Sequence, residues 1–133
     1  MAEMKLFTLA EAEAALPRIR DEVLAMQACK RELDGLRADL VRVSQATSGN
    51  GHVQDEQAVG ATRQQAEALV EQINGRLAKI NALGIELKGL DEGLIDFPSE
   101  RDGRVVYLCW RLGEEGIGWW HELDAGFAGR QPL

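Results

Sequence analysis

The sequence predicts an α+β fold: a long antiparallel helical hairpin, then a small antiparallel β-meander of three to four strands, then a glycine-rich C-terminal tail. Two observations lead to this prediction. Apolar residues recur every three or four positions up to Gly84, and after Gly84 the period becomes two. Because 133 residues are enough for one core, we expect one domain over 1–133, with the hairpin at about 8–84, the meander at about 85–124 and the tail at 125–133.

The start of the first helix is marked by a capping motif, and a proline interrupts its hydrogen-bonding pattern soon afterwards. Thr8 followed three residues later by Glu11 is a capping box, in which each side chain accepts from the other residue's backbone amide. Pro17 lies inside the helical pattern and cannot donate a backbone hydrogen bond. We therefore expect a kink at Pro17, or a short first helix that ends near Ala15 or Leu16 and is followed by a long one.

The second helix is delimited by two breakers. Residues 47–52, Thr-Ser-Gly-Asn-Gly-His, form a cluster typical of a flexible loop. The helical period resumes at about Asp55 and runs to Leu83, and Gly84 fits a left-handed C-terminal cap. The apolar positions of both helices form narrow seams of the coiled-coil type, which indicates a hairpin that dimerises, for instance into a four-helix bundle.

The strand registers follow from the two turns of the meander. Asp102-Gly103 is a two-residue hairpin turn, and it predicts the pairs Phe97–Leu108, Asp96–Cys109 and Ile95–Trp110. A four-residue loop at 113–116 predicts the next set, Leu112–Ile117, Trp110–Trp119 and Leu108–His121. These registers place His121 on an apolar face with Trp110 and Trp119. They place the following residues on the opposite, more polar face: Asp96, Tyr107, Cys109, Arg111, Trp120 and Glu122.

Charge and cysteine content restrict the class of protein. The formal net charge is −7, and residues 85–133 carry five basic against ten acidic side chains, which disfavours nucleic-acid binding. No signal peptide is recognisable, and no apolar run approaches the roughly 18 residues of a membrane span. We expect a cytoplasmic protein that does not bind membranes, in which Cys29 and Cys109 are free thiols.

His121 is the main candidate for chemistry. A polar ring on an apolar face needs a partner, which a backbone carbonyl, a carboxylate or a metal ion could supply. One interpretation is a structural histidine. The other is a ligand or general-base role, with Asp124, Glu122 or Asp96 completing a site for a small molecule or a divalent metal. His121 and Asp124 are the candidate metal ligands.

A Cys109–His121 pair could form a nucleophile and base, or half of a zinc site. The predicted register disfavours this pair because it turns the two side chains to opposite faces. An odd number of residues in the last loop would bring them to the same face.

Three further residues are candidates for a partner or ligand site. Arg111 and Trp120 on the polar face could pair with neighbouring side chains, or could form a contact surface, since exposed Trp and Arg are typical of interfaces. Arg130 in the tail could hold an anion or a carboxylate. The chain contains no GxGxxG, P-loop, HExxH, GxSxG or CxxC motif, so no motif indicates an enzyme.

The chain resembles an uncharacterised prokaryotic family, the domain-of-unknown-function family 2203. The resemblance rests on four blocks: Phe7 to Ala12 with Leu16-Pro17, Gly93 to Pro98, Tyr107 to Glu114 with Trp120-His121, and Gly126 to Arg130. The family implies no activity, substrate or cofactor. The motif positions that coincide with the candidates above are Asp96, Cys109, Trp110, Arg111, His121 and Arg130.

Two functions are compatible with the sequence, and neither fixes a substrate. The leading hypothesis is a non-catalytic interaction or assembly protein, a homodimer or higher homo-oligomer whose sheet and tail bind a protein partner. The alternative is a small-molecule or divalent-metal-binding protein, with hydrolysis as an activity it could support, whose site surrounds His121.

Overall fold

A computed structural model describes residues 4–48 and 56–133 and confirms the predicted fold class. Two helices, α1 (Leu9–Ser48) and α2 (Glu56–Ala82), precede the strands. The described residues form one antiparallel sheet in the order β1-β2-β3-β4-β5. Its strands are β1 (Glu86–Gly89), β2 (Leu94–Arg101), β3 (Arg104–Arg111), β4 (Trp119–His121) and β5 (Gln131–Pro132). The fifth strand comes from the predicted tail, after a 3₁₀ turn at Phe127–Gly129.

The chain divides into two compact units. The first comprises residues 1–24 and 77–133 and contains the sheet; the second comprises residues 25–76, the distal parts of both helices. In the second unit Leu33 and Leu69 are buried. No helix within the described residues is both long and apolar enough to cross a membrane.

The capping box at the start of α1 is confirmed. The Thr8 amide donates to the Glu11 carboxylate at 2.9 Å, and the Glu11 amide donates to the Thr8 hydroxyl at 3.1 Å. The helix is continuous through Pro17, so the short first helix expected to end near Ala15 or Leu16 is wrong. Pro17 is exposed, while Leu16 and Ile19 beside it are buried, and this burial holds the helix together across the missing hydrogen bond. The bend at Pro17 stays a prediction.

The predicted loop at residues 47–52 is only partly described. Thr47 and Ser48 belong to α1, whereas the remainder of the loop and the predicted helix start at Asp55 lie outside the described residues. The left-handed cap after α2 is confirmed, because Gly84 has φ +84° and its amide donates to the Asn81 carbonyl at 2.9 Å.

The β2–β3 register is as predicted from the Asp-Gly turn. Asp102 and Gly103 have φ values of +53° and +79°, as a two-residue type I′ turn requires. The predicted pairs are all observed: Phe97 with Leu108, Asp96 with Cys109, and Ile95 with Trp110.

The predicted β3–β4 register is wrong by one residue. The observed pairs are Tyr107 with His121, Leu108 with Trp120, and Cys109 with Trp119. Because directly opposed residues share a face, this shift moves His121 to the face of Cys109 and Asp96, and moves Trp120 to the apolar face.

Two hydrogen bonds explain the shift. The predicted hairpin required Leu112 and Ile117 to pair with each other. Instead the Leu112 amide donates to the Gly93 carbonyl at 2.9 Å, and the Ile117 amide donates to the Glu13 carboxylate of α1 at 2.8 Å. The loop between β3 and β4 is therefore longer than predicted and odd in its residue count.

The sheet separates an apolar face from a polar one. Its apolar face is buried with the first turns of α1, and the ring of Phe7 meets Phe97 edge-on at 5.5 Å. The buried apolar side chains of the face are Ile95, Phe97, Val106, Leu108, Trp110 and Trp120. The other face carries Asp96, Tyr107, Cys109 and His121, which are buried as well.

Gly93 lets the β1–β2 turn approach Leu112 closely, and a substitution at this position tests that packing. Its φ is +68°, and a Cβ atom there would lie 2.5 Å from the Leu112 Cβ. Gly103 has a similar φ of +79°, but an added Cβ would meet nothing within 4 Å. We expect Gly103→Ala to lower the free energy of unfolding by about 1–2 kcal/mol, through backbone strain alone. Gly93→Ala should lower the free energy of unfolding by about 1–3 kcal/mol more than Gly103→Ala, because its methyl group also overpacks against Leu112. Urea denaturation of both variants measures the difference, and equal losses would contradict the described packing.

Candidate functional site

Three chemically active side chains meet on the polar face of the sheet. Asp96, Cys109 and His121 come from the adjacent strands β2, β3 and β4. Asp96 lies directly opposite Cys109, and His121 lies two residues after Trp119, the partner of Cys109. Neighbouring strands are about 4.8 Å apart, and the ligand atoms of all three side chains lie within 4.8 Å of one another. We call these residues the Asp–Cys–His cluster.

The hydrogen bonds of His121 fix the orientation of its ring. Nδ1 lies 2.7 Å from the Glu122 carbonyl oxygen, and Nε2 lies 3.0 Å from Asp96 Oδ1. A carbonyl oxygen only accepts, so Nδ1 is the donor and carries a proton. Nε2 then faces Asp96 Oδ1 across a hydrogen bond whose proton either group can supply.

Burial dominates the electrostatics of the cluster. Asp96, Cys109 and His121 are each no more than 3% exposed. Burial raises the pKa of Asp96, and the charge of His121 and its hydrogen bond work against this rise. Burial, reinforced by the negative charge of Asp96, raises the pKa of Cys109 to about 12. Cys109 is therefore a thiol near neutral pH, and the nucleophile-and-base interpretation of Cys109 and His121 does not fit, although the two side chains do share a face.

A small cavity of about 130 Å³ opens beside the cluster. Its walls combine the cluster with apolar side chains, one lysine and one tyrosine. The lining residues are Lys88, Leu94, Asp96, Tyr107, Cys109, His121, Leu123, Gly126 and Phe127. Because the cavity reaches all three residues of the cluster, a group bound to them would also contact the cavity.

A second polar group lies near this cavity, on β1 and β3. The Lys88 ammonium lies 3.0 Å from the Glu86 carboxylate and 4.8 Å from the centre of the Tyr107 ring. The Tyr107 hydroxyl donates to Glu86, and with burial this bond raises the pKa of Tyr107. The Tyr107 ring in turn lies 5.4 Å from the His121 ring.

The structure does not bring Asp124 and Glu122 to the cluster. Asp124 is exposed and lies outside the Asp–Cys–His cluster. The Glu122 side chain forms an ion pair with Arg104 on the surface, and only its backbone carbonyl contacts His121. Of the carboxylates predicted to accompany His121, Asp96 alone does so.

The predicted tryptophan sites are parts of the core. Trp110 is fully buried, with its indole N–H donating to the Glu114 carbonyl at 3.0 Å. The prediction of an exposed Trp120 is wrong, because this ring is 6% exposed and the Arg101 guanidinium stacks on it at 4.5 Å. Trp119 is the more exposed of the pair, at 37%.

Arg130 holds a carboxylate within the protein, that of Glu114, at 2.6 Å. Its guanidinium lies over the rings of both Trp119 and Phe127, 4.7 Å from each centre. Arg111 is exposed, and its guanidinium lies 5.7 Å from the same Phe127 ring. These two arginines therefore fasten the C-terminal segment beside the cavity.

Lys88 is a site residue that was not predicted from the sequence. Glu86 pairs directly with Asp96 across β1 and β2, and Lys88 follows Glu86 by two residues. Because side chains alternate between the two faces of a strand, this spacing could have placed Lys88 on the face of Asp96. The spacing alone could not predict this placement, because the pairing of β1 with β2 shifts in register between Leu87 and Gly89.

The fold and site define a small α+β protein in which a helical hairpin precedes an antiparallel sheet with a buried Asp–Cys–His cluster. The chain belongs to the family described as "Uncharacterized conserved protein (DUF2203)", whose model matches residues 5–133. No curated protein and no solved structure matches the chain.

The two cysteines should differ in reactivity toward iodoacetamide at about pH 8. Cys29 is half-buried, with its Sγ 3.4 Å from Gln72 Oε1, whereas Cys109 is buried with its pKa raised to about 12. We expect metal-free native protein to be alkylated at Cys29 at least about tenfold faster than at Cys109, because Cys109 is buried and only the thiolate form reacts. Peptide mass spectrometry measures both sites. Denatured protein, in which both should react, is the control, and equal native rates would show that Cys109 is an accessible thiolate.

Proposed function

We propose that this protein binds a divalent metal ion through Asp96, Cys109 and His121. The observation that supports the proposal is the convergence of a carboxylate, a thiol and an imidazole within 4.8 Å in the protein interior. Three different ionisable side chains on three strands are costly to bury together. A bound cation would offset that cost by pairing with the Asp96 carboxylate and replacing the proton of the Cys109 thiol.

The donor set supports zinc as the metal. Zinc accepts nitrogen, sulfur and oxygen ligands in tetrahedral geometry, with bond lengths of about 2.0–2.3 Å. Ligand atoms at those lengths lie about 3.3–3.8 Å from one another. The cluster ranges from 3.0 Å between Nε2 and Oδ1 to no more than 4.8 Å, so small side-chain rotations would suffice.

The surroundings of His121 support the same proposal. Metal-binding histidines commonly donate their second ring N–H to a carbonyl or carboxylate, which fixes the lone pair of the other nitrogen toward the metal. The bond from Nδ1 to the Glu122 carbonyl has this form. Three protein ligands with the fourth position facing a cavity are also the arrangement of catalytic zinc sites, so hydrolysis is an activity this site could support.

Metal content tests the proposal. We expect protein purified without a tag or chelator to contain close to one zinc per chain by elemental analysis. Asp96→Asn, Cys109→Ser and His121→Gln should each lose it, because three ligands are the minimum for tight binding. Cys29→Ser and Glu122→Gln are matched controls that should retain it.

Thermal unfolding separates metal binding from loss of fold. Added zinc should raise the Tm of chelator-treated wild-type protein, with a stabilisation of about 2.7 kcal/mol at a hundredfold excess over Kd. The three ligand variants should show no rise, whatever their own starting Tm. A wild-type protein that carries no metal and gains no Tm with zinc, iron or manganese would refute the proposal.

We also propose that the protein forms a homodimer through its helical hairpin. The support is a row of incompletely covered apolar residues in the second unit: Leu36 and Leu40 are half-buried, and Val41 is 55% exposed. Two free cysteines support the further proposal of a reducing, cytoplasmic location.

Sedimentation equilibrium tests the dimer. We expect wild-type protein to have twice the mass of one chain, and the double variant Leu40→Glu/Val41→Glu to have the mass of one, because paired carboxylates cannot be buried in a helical interface. Lys79→Glu, a similar charge change in the last turn of α2 outside the second unit, is the control and should remain dimeric. A monomeric wild-type protein would refute this proposal.

A further inference from the structure

We infer that the cavity beside the Asp–Cys–His cluster binds a small carboxylate, with one oxygen on the metal and the other on the Lys88 ammonium. The inference rests on the proposed metal site and names the class of molecule that site would take.

Lys88 supplies the charge for this recognition. It lines the cavity together with the three cluster residues, and its side chain is 43% exposed, so it lies at the opening. Its ammonium lies 4.8 Å from the centre of the Tyr107 ring, which in turn lies 5.4 Å from the His121 ring. Burial works against the charged form of Lys88, but the hydrogen bond and charge of Glu86 outweigh it, so its pKa lies above the ordinary value and the residue stays cationic.

The metal and Lys88 together select an anion with two acceptor atoms. A carboxylate and a thiolate would neutralise a divalent cation, so the fourth position needs only an electron-pair donor. The ammonium has three N–H donors and no acceptor. A carboxylate satisfies both requirements at once, whereas a neutral amide offers a single good acceptor and no charge for Lys88 to pair with.

The size and walls of the cavity restrict the remainder of the molecule. Its volume is about 130 Å³. A cavity of this size accommodates a short-chain carboxylate, since an engineered cavity of about 150 Å³ holds benzene. Leu94, Leu123 and Phe127 form an apolar wall suited to a short aliphatic group, which inorganic phosphate lacks.

The Glu86 carboxylate would compete with a bound carboxylate for the Lys88 ammonium. The Glu86 carboxylate holds Lys88 at 3.0 Å and also accepts from the Tyr107 hydroxyl. A bound carboxylate would share Lys88 with Glu86 or displace it. Removing the charge of Glu86 should therefore strengthen binding, while removing the charge of Lys88 should weaken it.

Cobalt-substituted protein tests the inference, because a cobalt–thiolate absorption band reports the metal and visible d–d bands report its open position. We expect acetate to shift the d–d bands with saturation, while acetamide, similar in shape but uncharged, does not. Lys88→Met should weaken acetate binding about tenfold, as loss of a charged hydrogen bond implies, and Lys88→Arg should restore part of it. Glu86→Gln should tighten binding, and Lys79→Met, the matched control, should leave it unchanged.

The outcomes distinguish the two proposals. Failure to take up cobalt with a thiolate band would refute the metal site itself. Cobalt uptake with equal responses to acetate and acetamide, or with acetate binding unaffected by Lys88→Met, would refute the carboxylate site and leave the metal site standing.

Discussion

The hydrogen bond from the Ile117 amide to the Glu13 carboxylate is the constraint on which the candidate site depends. It ties the loop after β3 to the first helix and, together with the bond from the Leu112 amide to the Gly93 carbonyl, sets where β4 begins to pair. A shift of one residue in that pairing would turn His121 to the opposite face, away from Asp96 and Cys109. The chemistry of the sheet is therefore set by a carboxylate more than a hundred residues away along the chain.

The fold was predictable from the sequence to the extent that its determinants are local. The capping box, the glycine after α2 and the Asp102-Gly103 turn each act within a few residues, and each was found as predicted. The β4 register was not predictable, because the Leu112 and Ile117 amides donate to Gly93 and Glu13. Without these bonds, the two residues could have paired with each other in a short hairpin. No pattern near residues 112–118 reveals partners so distant in sequence.

The candidate site was predicted in its members but not in its arrangement. His121, Asp96 and Cys109 were all identified, yet the expected partner Asp124 is exposed and the expected opposition of Cys109 and His121 is absent. Their burial was unpredictable because covering residues lie in the C-terminal segment, where Arg130 contacts the rings of Trp119 and Phe127. The polar face of the sheet is therefore buried, as the apolar face is.

The two outer strands of the sheet have a consequence for assembly. An edge strand offers free amide and carbonyl groups to which another chain can add. Here β5 has only two residues and one is Pro132, which has no amide hydrogen, while β1 has four residues and an irregular register before Gly89. Neither edge is a good template for a foreign strand, so the sheet resists continuous growth from molecule to molecule and the amyloid-like aggregation that begins in that way.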